Sequence, residues 1–174
     1  FSAQRVFIMQ QQMKYVLPAL CLACPAYAAE INIGGHIVAS PCVVDIASQN
    51  QSVNFGQLRL NEMRADGNAS AWKSFEVRLF KCPAGTTSVD VTFNGQPAVE
   101  DPTLYASTGT AANAAVQMAQ DTNKAQVQGN GSSMNVLVDA QRKATFLLAG
   151  RVIVSDTTLP GTFNSLVQMN FTYR

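Results

Sequence analysis

The chain has 174 residues, of which 47% are hydrophobic and only 13% charged, about half the charged share of an ordinary soluble domain. Twelve Lys and Arg stand against eleven Asp and Glu, a formal net charge of +1, so there is no charge excess to grip a polyanion and nucleic-acid binding is excluded as a primary function. One His and four Cys are too few for most multi-histidine metal sites, and the length suits one domain that buries roughly two thirds of its unfolded surface.

The first segment reads as targeting information. Lys14 follows Met13, residues 15–23 form an apolar run, and Ala26-Tyr27-Ala28 is a small-x-small cleavage signature. Residues 1–28 are therefore expected to comprise an upstream overhang, 1–12, and a secretory signal peptide cut after Ala28. The run is well short of the ~20 apolar residues that span a bilayer, so no stable membrane anchor is expected. Cys21-Leu22-Ala23-Cys24 lies inside the run and is read as inert leader rather than as a redox pair or lipoprotein signal. Cleavage leaves Cys42 and Cys82, and one pair in an exported chain implies one disulfide. Closing the roughly 40-residue loop between them contributes roughly 4 kcal/mol.

From Ala29 onward the apolar period is two rather than 3.6. Strands are predicted at 31–39, 53–58, 75–80, 89–93, 116–118, 134–138, 145–154 and 166–173. Turn signals fall at 64–70, 82–85, 94–95, 129–132 and 159–161. The Ala cluster in 110–120 lacks a strong helix cap, which favours a strand at 116–118. Short strands with frequent turns describe an all-β sandwich.

The terminal strands carry the functional signal. In the first, Ile31, Ile33, Gly35, Ile37 and Ala39 share one face. In the last, Val167, Met169, Phe171 and Tyr173 alternate with Gln168, Asn170 and Thr172 before Arg174. A sandwich that closes on such a strand leaves unpaired backbone groups and exposed apolar side chains. A donated strand satisfies both, and the N-terminal run of another copy has the matching period.

These residues resemble the pilin subunits of the chaperone-usher pathway, most of all the minor tip pilins of type 1 fimbriae. The resemblance rests on the amphipathic N-terminal run with its in-phase glycine, Ser40-Pro41-Cys42, Val53-Asn54-Phe55-Gly56-Gln57-Leu58, and Phe75-Glu76-Val77-Arg78-Leu79-Phe80-Lys81-Cys82. Ala69-Ser70-Ala71-Trp72, Gly161 at the fourteenth position from the end and the penultimate Tyr173 complete it. It implies an incomplete immunoglobulin-like β-sandwich lacking its last strand, with a donor-strand extension at 29–41 and a pilin domain at 42–174. It further implies that a periplasmic pilus chaperone lends a strand along Val167, Met169, Phe171 and Tyr173. The chaperone's basic residues would hold the Arg174 carboxylate, and Gly161 belongs to the same signature. At the outer-membrane usher the extension of a neighbouring pilin subunit would replace that strand, through Ile31, Ile33, Gly35, Ile37 and Ala39. The product would be a cell-surface fimbrium reached through the periplasm, with no cofactor and no enzymatic activity.

Other candidates carry blander readings. His36 falls opposite the apolar face and is expected in solvent rather than in catalysis. Trp72 is expected in the core or against a loop, although lectin-like sites also use such rings. Glu100, Asp101 and Asp121 lack calcium-loop spacing, and if the source is bacterial, as the resemblance implies, the three Asn-x-Ser/Thr triplets at Asn68, Asn130 and Asn170 are coincidental. The rivals to a tip adaptor are a major shaft pilin and, in a different class, an adhesin or receptor-binding module with a complete fold.

Overall fold

The computed structural model describes residues 32–37 and 41–174. The expected signal peptide, Ile31 and Ala39 lie outside the described residues. The chain divides into two units, Phe1–Gly35 and His36–Arg174. In the first, residues 32–35 have no regular structure and are exposed. The strand predicted at 31–39 is thus not a paired strand over 32–37, where Ile33 and Ile37 are almost fully exposed. Two consecutive glycines, and no hydrogen-bonding neighbour among the described residues, account for this.

The second unit is built from β1 (Val43–Val44), α1 (Ile46–Gln49), α2 (Leu60–Ala65), β2 (Lys73–Phe80), β3 (Ser88–Gly95), β4 (Tyr105–Ala106), β5 (Ala115–Gln120), β6 (Ser133–Leu137), β7 (Ala144–Ile153) and β8 (Val167–Tyr173). One sheet has the order β1-β2-β7-β5-β4 and the other β6-β3-β8, and every pairing is antiparallel. The core lies between them. Val77 and Leu79 of β2 with Phe146 and Leu148 of β7 meet Val89, Val91 and Phe93 of β3, all buried. The alternation that predicted these strands is therefore the alternation that fills the sandwich.

Three predicted features differ. Residues 53–58 form no strand: Gly56 sits at φ +65° and its N–H donates to Asn54 Oδ1 at 2.8 Å, a local turn that breaks the extended pattern. Phe55 packs instead on Phe163, ring centroids 5.9 Å apart. The turn predicted at 94–95 is the end of β3, where Gly95 pairs with Val167. Glycine is needed there because a Cβ would lie 2.7 Å from the buried Tyr105 ring. The first residues of the turn predicted at 64–70 close helix α2, too short for its period to be legible. Arg64 ties that helix to the main-chain oxygens of Ser155, Asp156 and Thr158.

Cys42 and Cys82 are joined, Cα atoms 4.2 Å apart. Arg142 secures the same corner, its Nε donating to the Cys82 oxygen at 2.8 Å. Ahead of β8 the chain interlocks with residues 108–112: Thr108 N–H donates to Asn164 O and Ala111 N–H to Thr162 O, both at 2.8 Å. At Gly161 a Cβ would stand 2.5 Å from Ala111 N and 2.7 Å from Thr110 C. Gly161→Ala is therefore expected to destabilise the unit by roughly 1–3 kcal/mol through overpacking. The check is a lower urea midpoint at unchanged slope, with Gly34→Ala, at a position open on all sides, leaving the midpoint unmoved.

Candidate strand-accepting edge

β8 lies at the edge of the three-stranded sheet, with β3 on one side and, among the described residues, no strand on the other. The hydrogen-bond phase follows from its end. Arg174 N–H donates to Ser88 O at 3.0 Å and Ser88 N–H donates back to Arg174 O at 3.2 Å, so these residues exchange both bonds. In an antiparallel ladder exchanging pairs alternate with non-exchanging ones. Thr172 with Asp90, Asn170 with Thr92 and Gln168 with Asn94 are then the exchanging pairs. Val167, Met169, Phe171 and Tyr173 occupy the other positions and turn their N–H and C=O groups away from β3.

The same four residues point their side chains inward. All pack against the core yet stay only half-buried, while Gln168, Asn170 and Thr172 are exposed. Phe171 meets Phe146 with centroids 5.7 Å apart, and partial burial pushes the Tyr173 hydroxyl pKa up. Unpaired backbone and uncovered apolar surface thus coincide residue by residue. Gly161 is not on this strand; it lies in the loop before it, in the interlock with residues 110 and 111.

The far end of β8 is pinned. The Arg174 main-chain oxygen also accepts from Thr87 N–H at 2.6 Å, and the Arg174 side chain pairs with Asp90. Asn135 Nδ2 donates to Asp90 Oδ1 at 2.6 Å. The Asn135 hydrogen bond, then the Arg174 guanidinium, hold the Asp90 carboxyl below its usual range. This three-strand node escaped sequence reading because its members are far apart in the chain.

The remaining candidates separate. His36 is exposed. Trp72 is half-buried outside the core: it precedes β2 on the outer face of the larger sheet, where the Arg151 guanidinium lies 4.5 Å from its ring centroid. Asp101 accepts from the hydroxyl and N–H of Thr103, which lowers its pKa and makes it a local turn. Asp121 accepts from Ser74 and pairs with Lys124. No group of three or more metal-ligating side chains occurs among the described residues.

The fold and this edge define an all-β, incomplete immunoglobulin-like sandwich whose distinguishing surface is backbone and apolar side chain. Residues 31–174 match the fimbrial protein family, and the chain belongs to it. It is 32% identical to Long polar fimbria protein A of Salmonella typhimurium over 175 residues, 95% of this chain and 98% of that protein. It is 31% identical to Protein FimG of Escherichia coli K12 over 165 residues, 91% of this chain and 95% of the other. Its fold matches the crystal structure of the P pilus rod subunit PapA with a TM-score of 0.65 at 19% identity, covering 78% of this chain and 100% of that one. The protein is a structural subunit of chaperone-usher pili, exported to the cell surface, and not an enzyme.

The edge geometry predicts alternating amide protection. In hydrogen exchange of the isolated chain, Gln168, Asn170, Thr172 and Arg174 are expected to exchange slowly and Met169, Phe171 and Tyr173 rapidly. Uniform protection along β8 would mean that its outer edge is already paired.

Proposed function

We propose that the chain polymerises by donor-strand exchange. The observation that carries this is the coincidence along β8 of outward-turned backbone groups with half-buried apolar side chains at Val167, Met169, Phe171 and Tyr173. A strand laid beside β8 supplies hydrogen-bond partners and covers the apolar row in one step. During export the strand comes from a periplasmic pilus chaperone, which also takes the Arg174 carboxylate. At the outer-membrane usher it comes from the extension of another subunit.

The extension of this chain serves its neighbour in the same way. Ile31, Ile33, Gly35, Ile37 and Ala39 share a face, and the exposure of Ile33 and Ile37 leaves them available. Each Ile that enters a neighbour's groove contributes about 1.5–3 kcal/mol of burial, added to a ladder of main-chain bonds. Gly35 fits where that groove is too shallow for a side chain.

The Ala69-Ser70-Ala71-Trp72 stretch supports a minor tip-adaptor position. Likeness to a rod subunit favours the shaft as the second reading, and copy number per fibre separates the two. Deleting residues 29–37 is expected to give a subunit that still binds its chaperone but fails to attach to the preceding subunit in a reconstituted assembly. Normal incorporation of the truncated form would contradict the role given to the extension.

A further inference from the structure

β6 closes the other side of the small sheet, and among the described residues no strand pairs with its outer edge. The phase of that edge follows from β3. Ser88 commits its main-chain groups to Arg174, so along β3 the alternate residues Val89, Val91 and Phe93 turn theirs to β6. The two ends of the ladder agree: Phe93 N–H donates to Ser132 O and Val138 N–H to Thr87 O, both at 2.9 Å. Met134 and Val136 are then bonded to β3, while Ser133, Asn135 and Leu137 turn their N–H and C=O groups outward.

This edge is unguarded. Residues 131–138, Gly-Ser-Ser-Met-Asn-Val-Leu-Val, contain no charge and no proline, two of the features that usually blunt an edge. Leu137 is 73% exposed, and Met134 and Val136, packed on the core, stay half-buried. The formal net charge of +1 gives little repulsion between copies. The edge is also complementary to itself. Laid antiparallel about a two-fold axis at Asn135, two copies of β6 set Ser133 opposite Leu137, Asn135 opposite Asn135 and Leu137 opposite Ser133. All of these residues have outward-turned groups, so each pair can exchange both bonds. Between them Met134 faces Val136 of the second copy on the core side, at the closer Cα spacing of about 4.5 Å, and each covers the other's half-buried flank.

We propose that β6 is a lateral self-association edge whose partner is β6 of a second copy of this chain, carried by a second fibre. The joined sheet runs β8-β3-β6 into β6-β3-β8, so both β8 edges stay at its outer margins, free to receive donated strands. One such contact is short and weak. It recurs in every subunit of a fibre, and repetition turns weak contacts into side-by-side bundling.

The test is sedimentation equilibrium of the chain cut after Ala28, disulfide intact, joined to a cross-linking measurement. The wild-type chain is expected to show a concentration-dependent monomer–dimer equilibrium. Ser133→Lys with Leu137→Lys sets like charges opposite each other twice across the axis and should weaken the dimer by about tenfold or more. Ser133→Lys with Leu137→Glu sets opposite charges there and should restore it, a recovery that mere loss of stability cannot give. A short thiol-to-thiol reagent should join Asn135→Cys to itself at least about tenfold faster than Asn170→Cys, since the axis brings the two Cα atoms to about 5.5 Å; Asn170 is the matching exposed position on β8. If the Lys/Lys variant fails to fold, the Lys/Glu variant and the cross-link carry the test. A wild-type chain that stays monomeric, a Lys/Lys variant that associates as well as wild type, a Lys/Glu variant that does not recover, or cross-linking as fast at position 170 would each overturn the proposal, the last by placing the contact on β8.

Discussion

A strand in a sheet needs hydrogen-bond partners on two sides, and among the described residues β8 has them on one. Register with β3 fixes which residues are left over: Val167, Met169, Phe171 and Tyr173. Because side chains and backbone groups alternate with the same period of two, those residues are also the ones that face the core. One phase relation therefore creates both deficits at once, and a single added strand corrects both. Had the ladder with β3 been shifted by one residue, Val167, Met169, Phe171 and Tyr173 would have turned to solvent and Gln168, Asn170 and Thr172 to the core, so the open backbone would have run beside a polar row.

Much of the remaining structure fixes that relation. The exchange between Ser88 and Arg174 and the node of Asp90, Asn135 and Arg174 set the register at one end of β8. Gly95 against the Tyr105 ring, with Tyr105 donating to Gln128 O at 2.8 Å, sets the approach at the other. Burial pushes the Tyr105 hydroxyl pKa up to about 12, so it remains a neutral donor at any physiological pH. The disulfide and Arg142 hold the start of the domain to the turn that leads into β7. The opposite edge of the small sheet differs: the outer face of β6 carries exposed Ser133 and Asn135 beside Leu137, two polar positions and one apolar.

The amino-acid sequence made the strands legible wherever period two was uninterrupted, as in β2, β3, β7 and β8. It misled where a local contact overrode the pattern. Asn54 and Gly56 turned a predicted strand into a loop through a two-residue hydrogen bond, and Asn94-Gly95 looked like a turn although its glycine serves close packing. Trp72 carried no sign that Arg151, 79 positions later in the sequence, would stack on it. The apolar row of the edge could be read from β8 alone. Its free backbone phase could not, because that depends on pairing with residues 88–94.

The account stands or falls on whether the outer edge of β8 is open and accepts a strand. The most direct measurement is urea unfolding of the chain cut after Ala28, disulfide intact, with and without an equimolar peptide spanning residues 29–41. An open edge predicts a bare chain of low stability whose midpoint rises strongly with the peptide and further with peptide excess, as mass action requires. A monomer that unfolds cooperatively at high urea and is unmoved by the peptide would contradict it, because the sandwich would then be complete in itself.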